Sequence, residues 1–68
     1  MSRIPEELKI SLASARVNAR LTQREVAEKL GVSNVTIVNW ENGRSSPSIL
    51  QANILYDLYK RPKDSIIF

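Results

Sequence analysis

Cysteine and histidine are both missing from this 68-residue chain. Without cysteine there is no disulfide staple and no thiolate metal site. Without histidine, imidazole catalysis and the commonest metal ligand are excluded as well. No apolar run approaches the roughly 20 residues that a membrane-spanning helix needs. The opening segment MSRIPEELK lacks the apolar stretch of a secretory leader. The expectation is a cytoplasmic protein with no membrane association. Repeats, low-complexity segments and linkers are also lacking, which gives one domain over residues 1–68, near the lower size limit for an unaided hydrophobic core. Such a core stands on helix packing alone, or with help from a partner subunit. No carboxylate pair sits in a recognisable site, and a bundle this small is ill suited to enclose a catalytic pocket. An enzyme, a cofactor and a metal are therefore not expected.

What is present is a modest excess of positive charge, net +3. That balance suits a polyanionic partner or a plainly solvated basic surface, and charge alone does not separate the two. Placement says more. Glu6, Glu7, Glu25 and Glu28 fall early in the first two expected helices, where helix dipoles favour them. Arg20, Arg24 and Arg44 surround the middle of the chain, and Lys60, Arg61 and Lys63 lie near its end.

The start and stop signals divide the chain into helices. Pro5 suits a first helical turn, and Leu8, Leu12, Ala15 and Ala19 recur at three- and four-residue steps, predicting helix one from Pro5 to about Ala19. Thr22 with Glu25 is a capping box and Gly31 a stop, predicting helix two over about Gln23 to Leu30 with Val26, Ala27 and Leu30 buried. Ser33 is the next cap and Asn42-Gly43 the next stop, predicting helix three over about Asn34 to Glu41 with Ile37 and Trp40 buried. Ser48 with Gln51 starts helix four, which runs to about Lys60 before Pro62. No strand is expected. Helix four is apolar on more than one side: Ile49, Ala52, Leu55, Tyr56 and Tyr59 are candidates for the core. Leu50, Ile54 and Leu58 then form a second stripe at four-residue steps. That stripe either packs under helix one or the C-terminal tail, or serves as a subunit or partner interface.

Helices two and three, joined by a short turn containing Gly, follow the helix-turn-helix plan, whose second helix lies in the major groove of DNA. More specifically, Leu21-Thr22-Gln23, Ala27, Leu30-Gly31-Val32-Ser33, Ile37, Trp40-Glu41 and Asn42-Gly43 resemble the lambda repressor/Cro-like (Xre) family. The resemblance extends from about Leu12 to Tyr59. It implies an all-α bundle of four or five helices that binds double-stranded operator DNA, usually as a homodimer. Many such proteins are phage or bacterial transcription regulators.

Position by position, the resemblance puts Asn34, Val35 and Asn39 at base edges. Asn can bond adenine N6 and N7 together and Val can pack on a thymine methyl, so an A/T-containing half-site is expected. Val38 is a weaker candidate on the same side. Gln23, Arg24, Thr36, Asn42, Gly43 and Arg44 are expected at the DNA backbone, with the loop after helix three gripping phosphate through Asn42 and main-chain N–H groups. Arg44 reaches either a phosphate or the minor groove. The resemblance gives Arg16 and Glu41 a structural role, as a semi-buried ion pair, and Trp40 a place in the core. The chain departs from the pattern at Arg20, where Gly is common; a left-handed residue there would cost strain, so either that turn differs from the pattern or Arg20 reaches a phosphate. Ala15 is small where a larger aliphatic is common, leaving space for the tail Ile66-Ile67-Phe68. The leading expectation is a sequence-specific DNA-binding repressor. The alternative is a protein-interaction module on the same fold, a modulator of another repressor or an antitoxin-like chain, using Leu50, Ile54 and Leu58. Fold by itself does not separate the two.

Overall fold

Four hydroxyl side chains start the four helices. In the computed structural model, which describes residues 9–68, Ser11, Thr22, Ser33 and Ser48 each accept the N–H three residues on, at 3.1, 3.0, 3.2 and 3.1 Å. The helices that follow are α1 (Leu12–Asn18), α2 (Gln23–Leu30), α3 (Asn34–Glu41) and α4 (Ile49–Tyr59). Thr22/Glu25 and Ser48/Gln51 form complete capping boxes, the acid or amide returning a bond to the cap N–H at 2.8 Å in each.

All four helices also end alike. One residue after α2 and α4, and two residues after α1 and α3, the chain takes a left-handed conformation: Arg20 (φ 61°), Gly31 (φ 70°), Gly43 (φ 74°) and Lys60 (φ 54°). The next N–H then reaches back five residues: Leu21 to the Arg16 carbonyl, Val32 to Ala27, Arg44 to Asn39 and Arg61 to Tyr56, at 2.9–3.2 Å. This is the Schellman arrangement, which satisfies carbonyls orphaned at a helix end. Glycine holds that conformation without a Cβ clash, whereas Arg20 and Lys60 hold it at a cost.

The core gathers Leu12 and Ala15 of α1, Val26 and Ala27 of α2, Ile37 and Trp40 of α3, and Leu55 and Tyr59 of α4, closed by Ile66. Leu30 and Ala19 sit at its edge, half-buried. The domain is mainly helical, yet one expectation fails at both ends of the chain. Ile10–Ser11 (β1) and Ile66–Ile67 (β2) form a two-stranded parallel sheet, with Ile10 opposite Ile66. The Ile10 N–H also donates to the Ser65 carbonyl at 3.0 Å. Helix one therefore begins at Leu12, where Ser11 caps it, and not near Pro5. The expected positions of Pro5, Glu6, Glu7 and Leu8 lie outside the described residues.

The tail enters the core through a turn. Asp64 takes φ 67°, and the Ser65 N–H and hydroxyl both donate to the Pro62 carbonyl. Ser65 and Ile66 are buried, and β2 packs on α1, where Ala15 leaves room. Ile67 and Phe68 stay exposed, with the Phe68 ring edge-on to Tyr56 at 5.7 Å. In α4 the buried side is centred on Leu55 and Tyr59. That phase turns Ile49 outward, 83% exposed, against the expectation that it faces the core. Leu58 instead packs against the core, so it leaves the expected outer stripe. Among the described residues no helix is long and apolar enough to cross a membrane.

Candidate nucleic-acid interface

Helix α3 has one buried side and one open side. Ile37 and Trp40, three residues apart, face the core. A 100° step per residue places Asn34, Val35, Val38 and Asn39 on the opposite arc. Asn34 is exposed, Val35 is 64% exposed, and Val38 and Asn39 are half-buried. An outward arc of two amides and two small branched apolar groups carries donors, acceptors and methyls without long flexible side chains. Those are the groups that read base edges in a major groove. Val38 lies as squarely on this arc as the three residues expected at bases. The i, i+4 spacing from Asn34 is the sequence signal for it.

Thr36 lies off the arc. Its N–H is bonded to Ser33 Oγ and its hydroxyl lies 3.0 Å from the same oxygen. Its immediate role is to close the N-terminus of α3.

The start of α2 meets the end of α3 at a polar node. Arg16 Nε lies 2.7 Å from Glu41 Oε2, and the two side chains are 16% and 5% exposed. Arg16 also donates to the Leu21 carbonyl at 2.8 Å, and Gln23 Nε2 donates to Glu41 Oε1 at 3.0 Å. One guanidinium and one carboxylate thus tie α1, the α1–α2 turn, α2 and α3 together. Tyr59 of α4 faces the same node. Burial, then the Glu41 charge, push its phenol up to about 12, while Arg16 opposes the shift. Gln23 is consequently oriented by Glu41, leaving its amide oxygen and second amide hydrogen for another partner. At the exposed N-terminus of α2, Glu25 is held below the ordinary carboxylate range by the Thr22 N–H, then by the Thr22 side chain, with Lys29 adding to the effect.

The loop after α3 begins by closing the helix. The N–H groups of Asn42, Gly43 and Arg44 donate to the Val38, Trp40 and Asn39 carbonyls. Closing the helix engages all three inside the fold. The exposed Asn42 and Arg44 side chains remain for a phosphate contact, and Gly43 supplies the left-handed turn. Arg24 is exposed on the first turn of α2. Away from this face, Ile49, Leu50 (71% exposed) and Ile54 (42%) leave an apolar surface on α4, and Asn53 and Asp57 share that side.

A capped helix, a left-handed glycine turn and a second helix with an open polar arc define the helix-turn-helix class of DNA-binding domain. The comparison with known families agrees. Residues 12–64 match the helix-turn-helix family model, and the chain belongs to that family, of lambda repressor/Cro-like (Xre) type. A protein of Methanothermobacter thermautotrophicus described as an uncharacterized HTH-type transcriptional regulator is 52% identical over 33 residues. That match covers 48% of this chain and 48% of the relative, so the chain spans about half of that protein's length. No solved structure matches.

Proposed function

We propose that this chain is a transcription regulator that reads duplex DNA with α3 in the major groove and represses by occupying its site. The observation that carries the reading is the outward arc of α3, where Asn34 and Val35 are exposed and Asn39 is half-buried, opposite the side that Ile37 and Trp40 anchor in the core. Asn34 and Asn39 pair with adenine edges, and Val35, with Val38 beside it, packs on thymine methyls. Gln23, set by Glu41, joins Arg24, Asn42 and Arg44 on phosphates. Blocking polymerase needs nothing beyond binding, which favours repression.

An eight-residue helix covers only a few base pairs, so a specific site calls for two copies about 34 Å apart on an imperfect palindrome. The exposed Ile49, Leu50 and Ile54 of α4 supply an apolar surface for a second copy. In this arrangement residues 1–68 act as one DNA-binding unit.

The test is selection of bound duplexes from a random library at two salt concentrations. The expected result is an enriched palindrome with A/T positions in each half-site, and its spacing gives the dimer geometry. Weak, steeply salt-dependent binding with no enriched sequence is backbone attraction alone. That result favours the protein-interaction module, with the α4 surface as the place to seek its partner.

A further inference from the structure

We propose that the turn between α1 and α2 is an additional clamp on the DNA backbone, with Arg20 as its phosphate-binding residue. The proposal rests on the DNA-binding reading above. Arg20 stands where α2 and α3 are each followed by glycine, and it holds φ 61°. Its surroundings impose that conformation. The Arg20 N–H is tied to the Val17 carbonyl at 2.9 Å and the Leu21 N–H to the Arg16 carbonyl at 3.2 Å. The Leu21 carbonyl is gripped by Arg16 at 2.8 Å. Glycine would satisfy the same bonds without the Cβ penalty.

No side-chain bond of Arg20 among the described residues offsets that penalty. The Arg20 side chain is exposed and makes no hydrogen bond or ion pair among the described residues. Lys60 carries the same strain, so strain alone assigns no task; what sets Arg20 apart is its position.

Position gives the task. Arg20 precedes Leu21, the Thr22 cap, and Gln23 and Arg24 on the first turn of α2. Gln23 is bonded to Glu41 at the end of α3, and Arg44 follows three residues later. Three exposed guanidinium groups, Arg20, Arg24 and Arg44, therefore lie within four residues in sequence of the polar node formed by Arg16, Gln23 and Glu41, without a carboxylate partner among the described residues. A guanidinium presents a planar fork that suits a phosphodiester oxygen pair. Pinned main chain on both sides of Arg20 reduces the freedom lost when its head group binds.

Lys60 supplies the control. It holds the same left-handed position, φ 54°, at the far end of α4. The experiment measures thermal midpoints and affinities for the most enriched selected duplex over a salt series, using wild type, Arg20→Gly, Arg20→Lys and Lys60→Gly. Both glycine variants are expected to melt higher by about 2–6 °C as strain is relieved. Arg20→Gly is expected to bind DNA on the order of tenfold more weakly, alike on specific and unrelated duplexes, with a salt slope shallower by about one. Arg20→Lys keeps the slope, and Lys60→Gly stays within about twofold of wild-type affinity. Wild-type affinity and slope in Arg20→Gly overturn the clamp and leave the DNA reading standing. A loss confined to one base position overturns the backbone role. A wild-type chain that binds no duplex overturns both.

Discussion

Arg16 and Glu41 concentrate much of the fold's polar energy in one place. Glu41 is nearly fully buried and has three bonds from two side chains, Arg16 and Gln23. Removing Arg16 leaves a buried carboxylate with one amide partner. Arg16→Ala is therefore expected to cost about 3–5 kcal/mol of folding stability, measured by denaturant unfolding. A variant that keeps its melting temperature but loses DNA binding would contradict this structural role. Tyr59 reports on the same node through pH. Its folded pKa is about 12, above the ordinary value near 10. The unfolded chain therefore gives up that proton first as pH rises. The stabilisation is whole below about pH 10 and is lost as pH rises toward 12. Thermal melts should show this alkaline decline, and Tyr59→Phe should remove it. Glu25 has the opposite sign: its lowered pKa gives stability that is present above the ordinary carboxylate pKa and is lost as pH falls through the depressed value.

Each helix is a unit with a marked start, and that is the part of the fold most legible in the sequence. Thr22 and Ser48 name their helices because a hydroxyl followed three residues later by Glu or Gln satisfies two orphan N–H groups at once. Thr22→Ala is expected to cost about 0.5–2 kcal/mol, by thermal or chemical unfolding. The open arc of α3 carries little of the fold. Asn34→Ala with Asn39→Ala is expected to leave stability within about 1 kcal/mol while each lost base contact removes about 1–3 kcal/mol of discrimination. Repeating the duplex selection with the double variant checks this, and an unchanged preferred site would remove both residues from the specificity claim. The terminal strands behave in the reverse way. Ile66 is a tail residue by sequence and a core residue by structure, 5% exposed. Ile66→Ala is expected to cost about 2–5 kcal/mol, with faster amide exchange at Ile10, whose N–H is bonded to Ser65.

At the scale of the whole molecule, the proposed function assigns the encounter with DNA to the charge balance and the pairing of copies to the α4 surface. A small basic domain gains sequence-independent affinity that salt erodes, and under the proposed dimer a second copy would add the specificity that one helix lacks. If α4 joins the copies, Ile54→Asp should lower affinity for a two-half-site duplex by more than tenfold, the equivalent of about 1.4 kcal/mol. A single half-site should bind almost as before. Sedimentation with each duplex separates the outcomes, and equal loss on both would place Ile54 in folding rather than assembly.

The sequence by itself missed the start of α1, which Ser11 caps, but determined the starts of α2, α3 and α4, the glycine stops after α2 and α3, and the buried pair Ile37 and Trp40. All of these follow from interactions within about five residues, which spacing alone encodes. The resemblance that the sequence carries implied base edges for Asn34, Val35 and Asn39, and the phase of α3 sets them away from the buried Ile37 and Trp40. The tertiary structure decided what depends on distant segments meeting. Ile10 and Ile66 are 56 positions apart, and two short apolar runs carry no mark that they will pair. Whether Leu58 or Ile49 faces inward depended on which side of an all-round apolar helix met α1 and the tail. The N–H groups after α3 could be assigned only once the helix end closed on them, and the left-handed Arg20 only once Arg16 had gripped the turn beyond it.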